Sequence, residues 1–191
     1  MCFFKVVAVK IIKDELNNLK QTYIMKKLFG ILIFSFLTVN LFAQEFEVPK
    51  NCVFTQKEDY AKFEGEIIKG IDWLLQTPIN TQPEKRKEIN NFVMIWITGS
   101  PTVSVDIKPE IVSFMKPNPD LLMIFMCGWT KYSIETKDIN NKIMGSQKGV
   151  DAVIDFYVKN KENLKKDNNV EKYLKMKEKG KLEEYISKNA N

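Results

Sequence analysis

The segment from Pro119 to about Glu135 constrains the fold of this chain most strongly, because it is apolar on nearly every side of a helix. Asn118-Pro119-Asp120 opens it, and a cap residue, a first-turn proline and an early acid all favour a helix start. A helix of this kind lies in the middle of a domain, with other helices around it. Since Asp120, Lys131 and Glu135 fall inside it or at its ends, we predict a central core helix and no membrane span in the mature chain.

Amphipathic patterns on both sides of this segment predict further helices. Thr55 and Glu58 fit a capping box, and the apolar spacing behind them continues until Pro78. Gly180 is expected to break the last helical stretch in two. The short alternating run 103–107 is isolated, so we interpret it as an extended loop or a single helical turn. The predicted helices cover about 55–77, 81–98, 108–116, 119–135, 138–160 and 168–188.

These patterns predict an all-α fold with about six helices. Short connections favour antiparallel neighbours, which gives three helical hairpins, at 55–98, 108–135 and 138–188. The layout of stacked helical pairs resembles that of tetratricopeptide-type solenoids, although their signature of roughly 34 residues does not repeat in this sequence. The predicted organisation is a leader over 1–43, an extension over 44–54, one helical domain over 55–188 and a frayed tail over 189–191.

Residues 25–43 have the pattern of a secretory signal peptide. Met25-Lys26-Lys27 is cationic, an apolar run follows over Leu28–Phe42, and we expect cleavage after Ala43. That run has 15 residues, fewer than the roughly 20 of a membrane-spanning helix, although an uncleaved anchor stays an alternative. Met25 also fits a natural start, so residues 1–24 are expected to derive from an early start codon. The predicted location is periplasmic or extracellular.

The charge balance excludes one class of partner, and the composition excludes several kinds of chemistry. Residues 1–44 hold six of the 29 basic residues and two of the 24 acidic ones, which leaves the mature chain with a net charge of +1. Nucleic-acid binding therefore lacks its usual electrostatic basis. The chain has no histidine, so Ser-His-Asp catalysis, Cys-His catalysis and imidazole metal sites are excluded.

Two cysteines remain in the mature chain, Cys52 and Cys127. An oxidising compartment would allow a disulfide between them, and its closed loop of roughly 75 residues would contribute about 4 kcal/mol in the loop-entropy model. The alternative is two free thiols, with Cys127 buried on its apolar helix. Without a histidine to activate it, neither thiol is expected to be a nucleophile.

The carboxylates predict no catalytic or metal site. Most acid pairs lie among lysines, as on an ordinary solvated face. Asp151 and Asp155 share a helix face and Asp72 adjoins Trp73, but none has a matched second carboxylate for general acid–base work. Residues 167–171 lack the ligand spacing and central glycine of a calcium loop. We therefore predict no catalytic residues, no metal and no cofactor.

Aromatic residues give the one candidate binding site in the sequence. Trp129 and Tyr132 are three residues apart, so both can face one groove, and Trp96 lies just before the bend that contains Ser100. Such a cluster can line a pocket or a peptide-binding face, and core packing is the alternative. The binding residues predicted on this basis are Trp96, Ser100, Trp129 and Tyr132.

The function that follows from the sequence is an exported helical binding or interaction module of the bacterial cell envelope. Stacked helical hairpins expose a groove between neighbouring helices, so a peptide or an envelope protein is the predicted partner. Two alternatives stay open: a small carboxylate-dependent hydrolase that acts on envelope glycans, and a structural or assembly subunit.

Overall fold

The computed structural model describes residues 46–190, and the signal peptide predicted at 25–43 lies outside this range. Within residues 46–190 the protein is all-helical, with six α-helices and no strand, which confirms the predicted fold class. None of these helices is long and apolar enough to cross a membrane. The helices are α1 (Lys57–Gln76), α2 (Pro83–Gly99), α3 (Asp120–Thr136), α4 (Lys142–Lys159), α5 (Asn168–Glu178) and α6 (Leu182–Asn189), and a 3₁₀ turn covers Ser113–Met115.

The start of α1 differs by one residue from the predicted capping box. Asp59, and not Glu58, closes the box, because its carboxylate accepts hydrogen bonds from the backbone N–H groups of Gln56 (3.0 Å) and Thr55 (3.2 Å). These backbone hydrogen bonds hold the pKa of the Asp59 carboxyl below its usual value. Capping at this position orients the chain that enters α1 from residues 46–55.

Helices α1 and α2 form an antiparallel pair. Tyr60 at the start of α1 packs against Trp96 near the end of α2, with ring centroids 6.3 Å apart. At the opposite end of the pair, Arg86 in the first turns of α2 donates a hydrogen bond to the carbonyl of Leu74 near the end of α1. The apolar faces predicted for the two helices therefore lie against each other.

Helix α3 is the central helix, as predicted, and it packs antiparallel to α4. Ten of its 17 residues are buried. The two helices approach closely because α4 has glycines, which lack a side chain, at the contact. The Trp129 ring lies over Gly145, and the Phe125 ring lies over Gly149. A Cβ atom placed on Gly128 would come within 2.5 Å of the backbone oxygen of Lys148. Small residues thus let two helix backbones approach where larger ones would separate them.

The predicted hairpin over 108–135 is wrong. Residues 108–116 form turns and a short 3₁₀ segment instead of a helix, and Pro117 and Pro119, which follow, have no N–H group with which to continue one. Helix α3 therefore pairs with α4 and not with a preceding helix. Asn118 was predicted to cap α3, but its side-chain amide binds the backbone of Lys165.

Helices α5 and α6 cover the far side of α4 and the 3₁₀ turn. Gly180 separates them with a positive φ of 66°, which glycine adopts without strain, so the predicted break is confirmed. Tyr173 of α5 is buried, and its hydroxyl donates to the backbone carbonyls of Ile111 (2.8 Å) and Glu110 (3.1 Å). Where a frayed tail was predicted, α6 continues to Asn189 and Ala190 is buried.

Candidate functional site

A cleft of about 610 Å³ lies where three loops of the helical domain meet. It is lined by residues 79–91 at the start of α2, by residues 117–120 before α3 and by residues 163–165 after α4. We call this site the asparagine cleft, because five asparagines line it: Asn80, Asn90, Asn91, Asn118 and Asn163. Its volume lies in the range of ordinary ligand pockets.

Asparagine side chains tie the walls of this cleft together. The side-chain amide of Asn80 donates a hydrogen bond of 2.9 Å to the side-chain oxygen Oδ1 of Asn163. This bond joins the loop before α2 to the loop after α4. Asn118 forms two hydrogen bonds of 2.9 Å with the backbone of Lys165, one as donor and one as acceptor. These bonds join segments distant in the sequence, so they fix the loops that line the cleft relative to one another.

Arg86 lies at the bottom of the cleft, with only 9% of its surface exposed. Its two terminal nitrogens donate to the carbonyls of Leu74 (3.2 Å), Thr77 (2.6 Å) and Pro78 (3.4 Å) at the end of α1. Its guanidinium also lies near the ring of Trp73, 5.4 Å from the centroid. These carbonyls and rings stabilise a cation that has little contact with water.

The charge of Arg86 has no ion-pair partner among residues 46–190. Burial lowers the pKa of its guanidinium, and the nearby thiol of Cys127 and carboxylate of Asp120 oppose that shift. Its Nε atom is buried without a hydrogen-bond partner. The same holds for Oδ1 of Asn90, one turn further along α2. Both residues line the cleft, so its wall contains a buried cation without an ion-pair partner and two buried polar atoms without hydrogen-bond partners.

The rim of the cleft is also basic. Lys87 and Lys165 line it and are exposed, and Asp120 is the one carboxylate among its lining residues. With Arg86, the lining carries three positive charges and one negative charge. A cleft with this balance attracts the anionic end of a ligand more strongly than a cationic one.

The structure places the predicted aromatic residues in the core or in local contacts. Trp96 is fully buried, and its indole nitrogen donates to the carbonyl of Tyr60 at 3.0 Å. Trp129 is 2% exposed beneath α4. Rings so deeply buried offer no surface to a ligand, so the structure gives the aromatic groove no support. This burial is the core packing that the sequence left open as the alternative.

The two half-buried members of the predicted set have partners nearby. The Ser100 hydroxyl lies 3.1 Å from that of Thr102 and accepts from the Thr102 backbone N–H, as in a local turn. The Tyr132 hydroxyl donates to the Asp138 carboxylate at 2.9 Å. Partial burial and this hydrogen bond raise the pKa of Tyr132. Neither residue lines the asparagine cleft.

Cys52 and Cys127 are free thiols in the structure, which is one of the two alternatives that the sequence left open. Cys52 is half-buried, and its Sγ lies 3.0 Å from the carbonyl of Pro49. Cys127 is fully buried in α3, and burial raises the pKa of its thiol to about 12. The two thiols differ in surroundings because Cys127 belongs to the central helix, whereas Cys52 lies in the segment before α1.

The carboxylates singled out in the sequence are engaged in surface ion pairs. Asp151 lies 2.8 Å from the Lys177 ammonium, and Asp155 lies 3.7 Å from it. Asp72 pairs with Lys131 of α3. Across residues 46–190, no group of three or more potential ligands is arranged to hold a metal ion.

Sequence reasoning missed the asparagine cleft. One signal was available: Arg86 falls on the face of α2 that carries the buried residues Ile89 and Val93, where a cation is unexpected. In comparisons with known proteins, neither a family model, nor a curated protein, nor a solved structure matches this chain.

Proposed function

We propose that this chain is an exported helical binding protein whose asparagine cleft holds the carboxylate end of a peptide. The single observation that carries the proposal is Arg86, a buried cation at the bottom of a cleft, without an ion-pair partner among residues 46–190. An anionic ligand group would supply the missing charge. A buried charge is much more stable when it is paired.

The hydrogen-bonding groups of the cleft favour a peptide over a simple ion. Asn91 is an exposed amide in the lining of the cleft, and the exposed side chains of Asn80 and Asn163 lie in the same lining. A side-chain amide offers both a donor and an acceptor, which matches the backbone N–H and C=O of an extended peptide. The ammonium groups of Lys87 and Lys165 at the rim would attract the terminal carboxylate.

The export part of the proposal rests on the leader sequence. Lys26 and Lys27 before the apolar run, and Ala43 before Gln44, form the pattern of a cleaved signal peptide. The proposed location is therefore outside the cytoplasm, in the cell envelope or beyond it, where short peptides and the ends of envelope proteins are available as ligands.

The proposal includes a layout of stacked helix pairs like that of tetratricopeptide-type proteins. The antiparallel pairing of α1 with α2 and of α3 with α4 supports this layout. In such an arrangement the loops between pairs lie together at one end, and the asparagine cleft is built from loops of this kind.

The test is peptide binding measured by nuclear magnetic resonance on the full chain. Acetyl-tetra-alanine with a free carboxylate is compared with the same peptide as its amide. We expect the free acid to shift the signals of the exposed Asn91 and Asn163 side-chain amides, and to bind about tenfold more tightly than the amide, since a charge-assisted hydrogen bond contributes more than a neutral one.

A pair of matched double variants locates the site. Lys87→Gln with Lys165→Gln removes two charges from the rim and should weaken binding of the free acid. Lys57→Gln with Lys148→Gln removes two charges from exposed positions away from the cleft and should leave binding unchanged. Equal binding of acid and amide, or equal weakening in both double variants, would refute the proposal.

A further inference from the structure

A second concave surface lies along α5, far richer in charge than the asparagine cleft. It is a groove of about 680 Å³ between α5 and the turn that leads into α6. We call it the lysine groove, after the exposed lysines that line it: Lys166, Lys172, Lys175, Lys179 and Lys181. Half-buried Met176 and the polar side chain of Asn168 complete the lining together with Glu171.

The charges of these lysines are not balanced by carboxylates. None of the five forms a salt bridge with a residue in 46–190. Glu171 is the one acid that lines the groove, and it pairs with Lys161 at 3.2 Å and accepts from the Tyr157 hydroxyl. The hydrogen bonds from Lys161 and Tyr157, together with the positive charge of nearby Lys166, lower the pKa of Glu171, so the single carboxylate of the groove is shared among several partners. Five ammonium groups therefore share one concave surface with a single, already engaged, carboxylate.

The lysines are also spaced along a line. Lys172 and Lys175 are three residues apart in α5, and Lys179 is the residue that follows its last turn, so the three lie along one side of the helix over about 10 Å. Lys166 and Lys181 extend the row beyond the two ends of the helix. A linear row of cations fits a linear anion better than it fits a single small one.

We propose that the lysine groove binds a linear phosphate polymer. The anion would lie along α5 with successive phosphates near successive lysines, and displaced counterions would contribute to its affinity. No aromatic residue is among the residues that line the groove, and the Tyr185 ring beside it is covered by the Lys172 ammonium, 4.8 Å from the ring centroid, so the base stacking used by proteins that bind single-stranded nucleic acids has no free platform here.

A membrane surface fits the groove less well. The exposed large apolar residues within 46–190 are Val53, Met94, Ile95, Ile107 and Val158, and none of them lines the groove. Proteins that lie on membranes usually insert apolar side chains beside their basic residues. The concave shape also suits a chain better than a flat layer of headgroups.

The experiment measures binding of inorganic polyphosphate to the full chain at several salt concentrations. With five lysines engaged, log K should fall with log salt at a slope of about −3.5, from about −0.7 for each neutralised phosphate on a single strand. Orthophosphate at the same total phosphate should bind at least about 100-fold more weakly, because it reaches one or two lysines at a time.

Two triple variants of equal charge change give the decisive comparison. Lys175→Gln, Lys179→Gln and Lys181→Gln together should weaken polyphosphate binding about 100-fold and reduce the slope by about 2. Lys57→Gln, Lys148→Gln and Lys159→Gln together, all exposed and outside the groove, should change binding less than about threefold. Circular dichroism of both variants confirms that they are folded.

Several results would overturn the proposal. These are absence of polyphosphate binding at low salt, an equal loss in the two triple variants, and tighter binding of single-stranded DNA than of polyphosphate. Tighter binding to phosphatidylglycerol vesicles would assign the surface to a membrane instead. The peptide test of the asparagine cleft is independent of all of these, because the two surfaces share no lining residue.

Discussion

Substituting alanine for Gly128 tests the close packing of α3 on α4. A Cβ atom at this position would lie 2.5 Å from the Lys148 backbone oxygen and 2.7 Å from the Ala152 Cβ. Ordinary contacts of these kinds are about 3.3–3.6 Å and about 3.5–4.0 Å. The two helices would therefore have to separate by about 1 Å, because a backbone oxygen cannot move aside as the end of a flexible side chain can.

The cost of that separation exceeds the gain from alanine. Overpacking of this kind costs about 1–3 kcal/mol, and an obstacle made of backbone should place it near the upper end. Replacement of glycine by alanine within a helix stabilises the helix by up to about 1 kcal/mol. We therefore expect Gly128→Ala to lower the free energy of unfolding by about 2 kcal/mol.

Gly65→Ala is the matched control, because Gly65 lies in the exposed middle of α1 and nothing lies within 4 Å of an added Cβ atom. It should raise the free energy of unfolding by about 0.5–1 kcal/mol through helix propensity alone. The assay is urea unfolding of the full chain, followed by circular dichroism and tryptophan fluorescence. If Gly128→Ala proves as stable as the native protein with an unchanged m value, the close approach of α3 and α4 is not what limits this position.

Three further predictions concern a buried hydroxyl, the thiols and the leader. Tyr173→Phe should lower the free energy of unfolding by about 1–2 kcal/mol in urea titrations at neutral pH, because it leaves the buried carbonyl of Ile111 without its hydrogen bond. Burial raises the pKa of Tyr173, so the folded state holds this proton more tightly than the unfolded state does; native stability should fall as pH rises above about 10, and Tyr173→Phe should flatten that fall. In the reduced native protein, iodoacetamide should modify half-buried Cys52 well before Cys127, whose modification should require unfolding; equal rates by peptide mass spectrometry would contradict the burial of Cys127 in α3. The mass of the protein recovered from the cell envelope should correspond to cleavage after Ala43, whereas a membrane-bound species that keeps its leader would refute signal-peptide processing.

The helices were predictable because their signals are local. Apolar spacing identified α1 and α2, and the all-round apolar character of 119–135 identified α3 as the central helix. Each of these features depends on residues within a few turns of one another, so a single sequence contains the necessary information.

The pairing of α3 with α4 and the asparagine cleft were not predictable, for the opposite reason. The hairpin over 108–135 failed because a pattern of apolar residues does not distinguish a short helix from consecutive turns between prolines. Asparagine is a residue type that often caps helices, yet the side-chain amide of Asn118 donates to the backbone carbonyl of Lys165, a residue 47 positions away. Contacts of this range depend on the assembled fold, as does the bond from Asn80 to Asn163 that joins two walls of the cleft.

The aromatic prediction shows a related difficulty. Tryptophan is suited both to a core and to a ligand pocket, and its spacing along a helix is the same in both settings. Trp96 and Trp129 turned out to be buried because glycines and neighbouring rings make room for them. Arg86, with its charge on a buried helix face, was the more informative residue.

The adjacency of α3 and α4 along the chain has a consequence for how the protein folds. Only residues 137–141 separate the two helices, so their contact closes a short loop at a small cost in chain entropy. Contacts between neighbours in sequence form quickly, and this pair contains much of the buried surface of the central helix. We expect the α3–α4 hairpin to be formed already in the folding transition state. Helices α1 and α2, which precede it in the sequence, and α5 and α6, which follow it, should dock on it later.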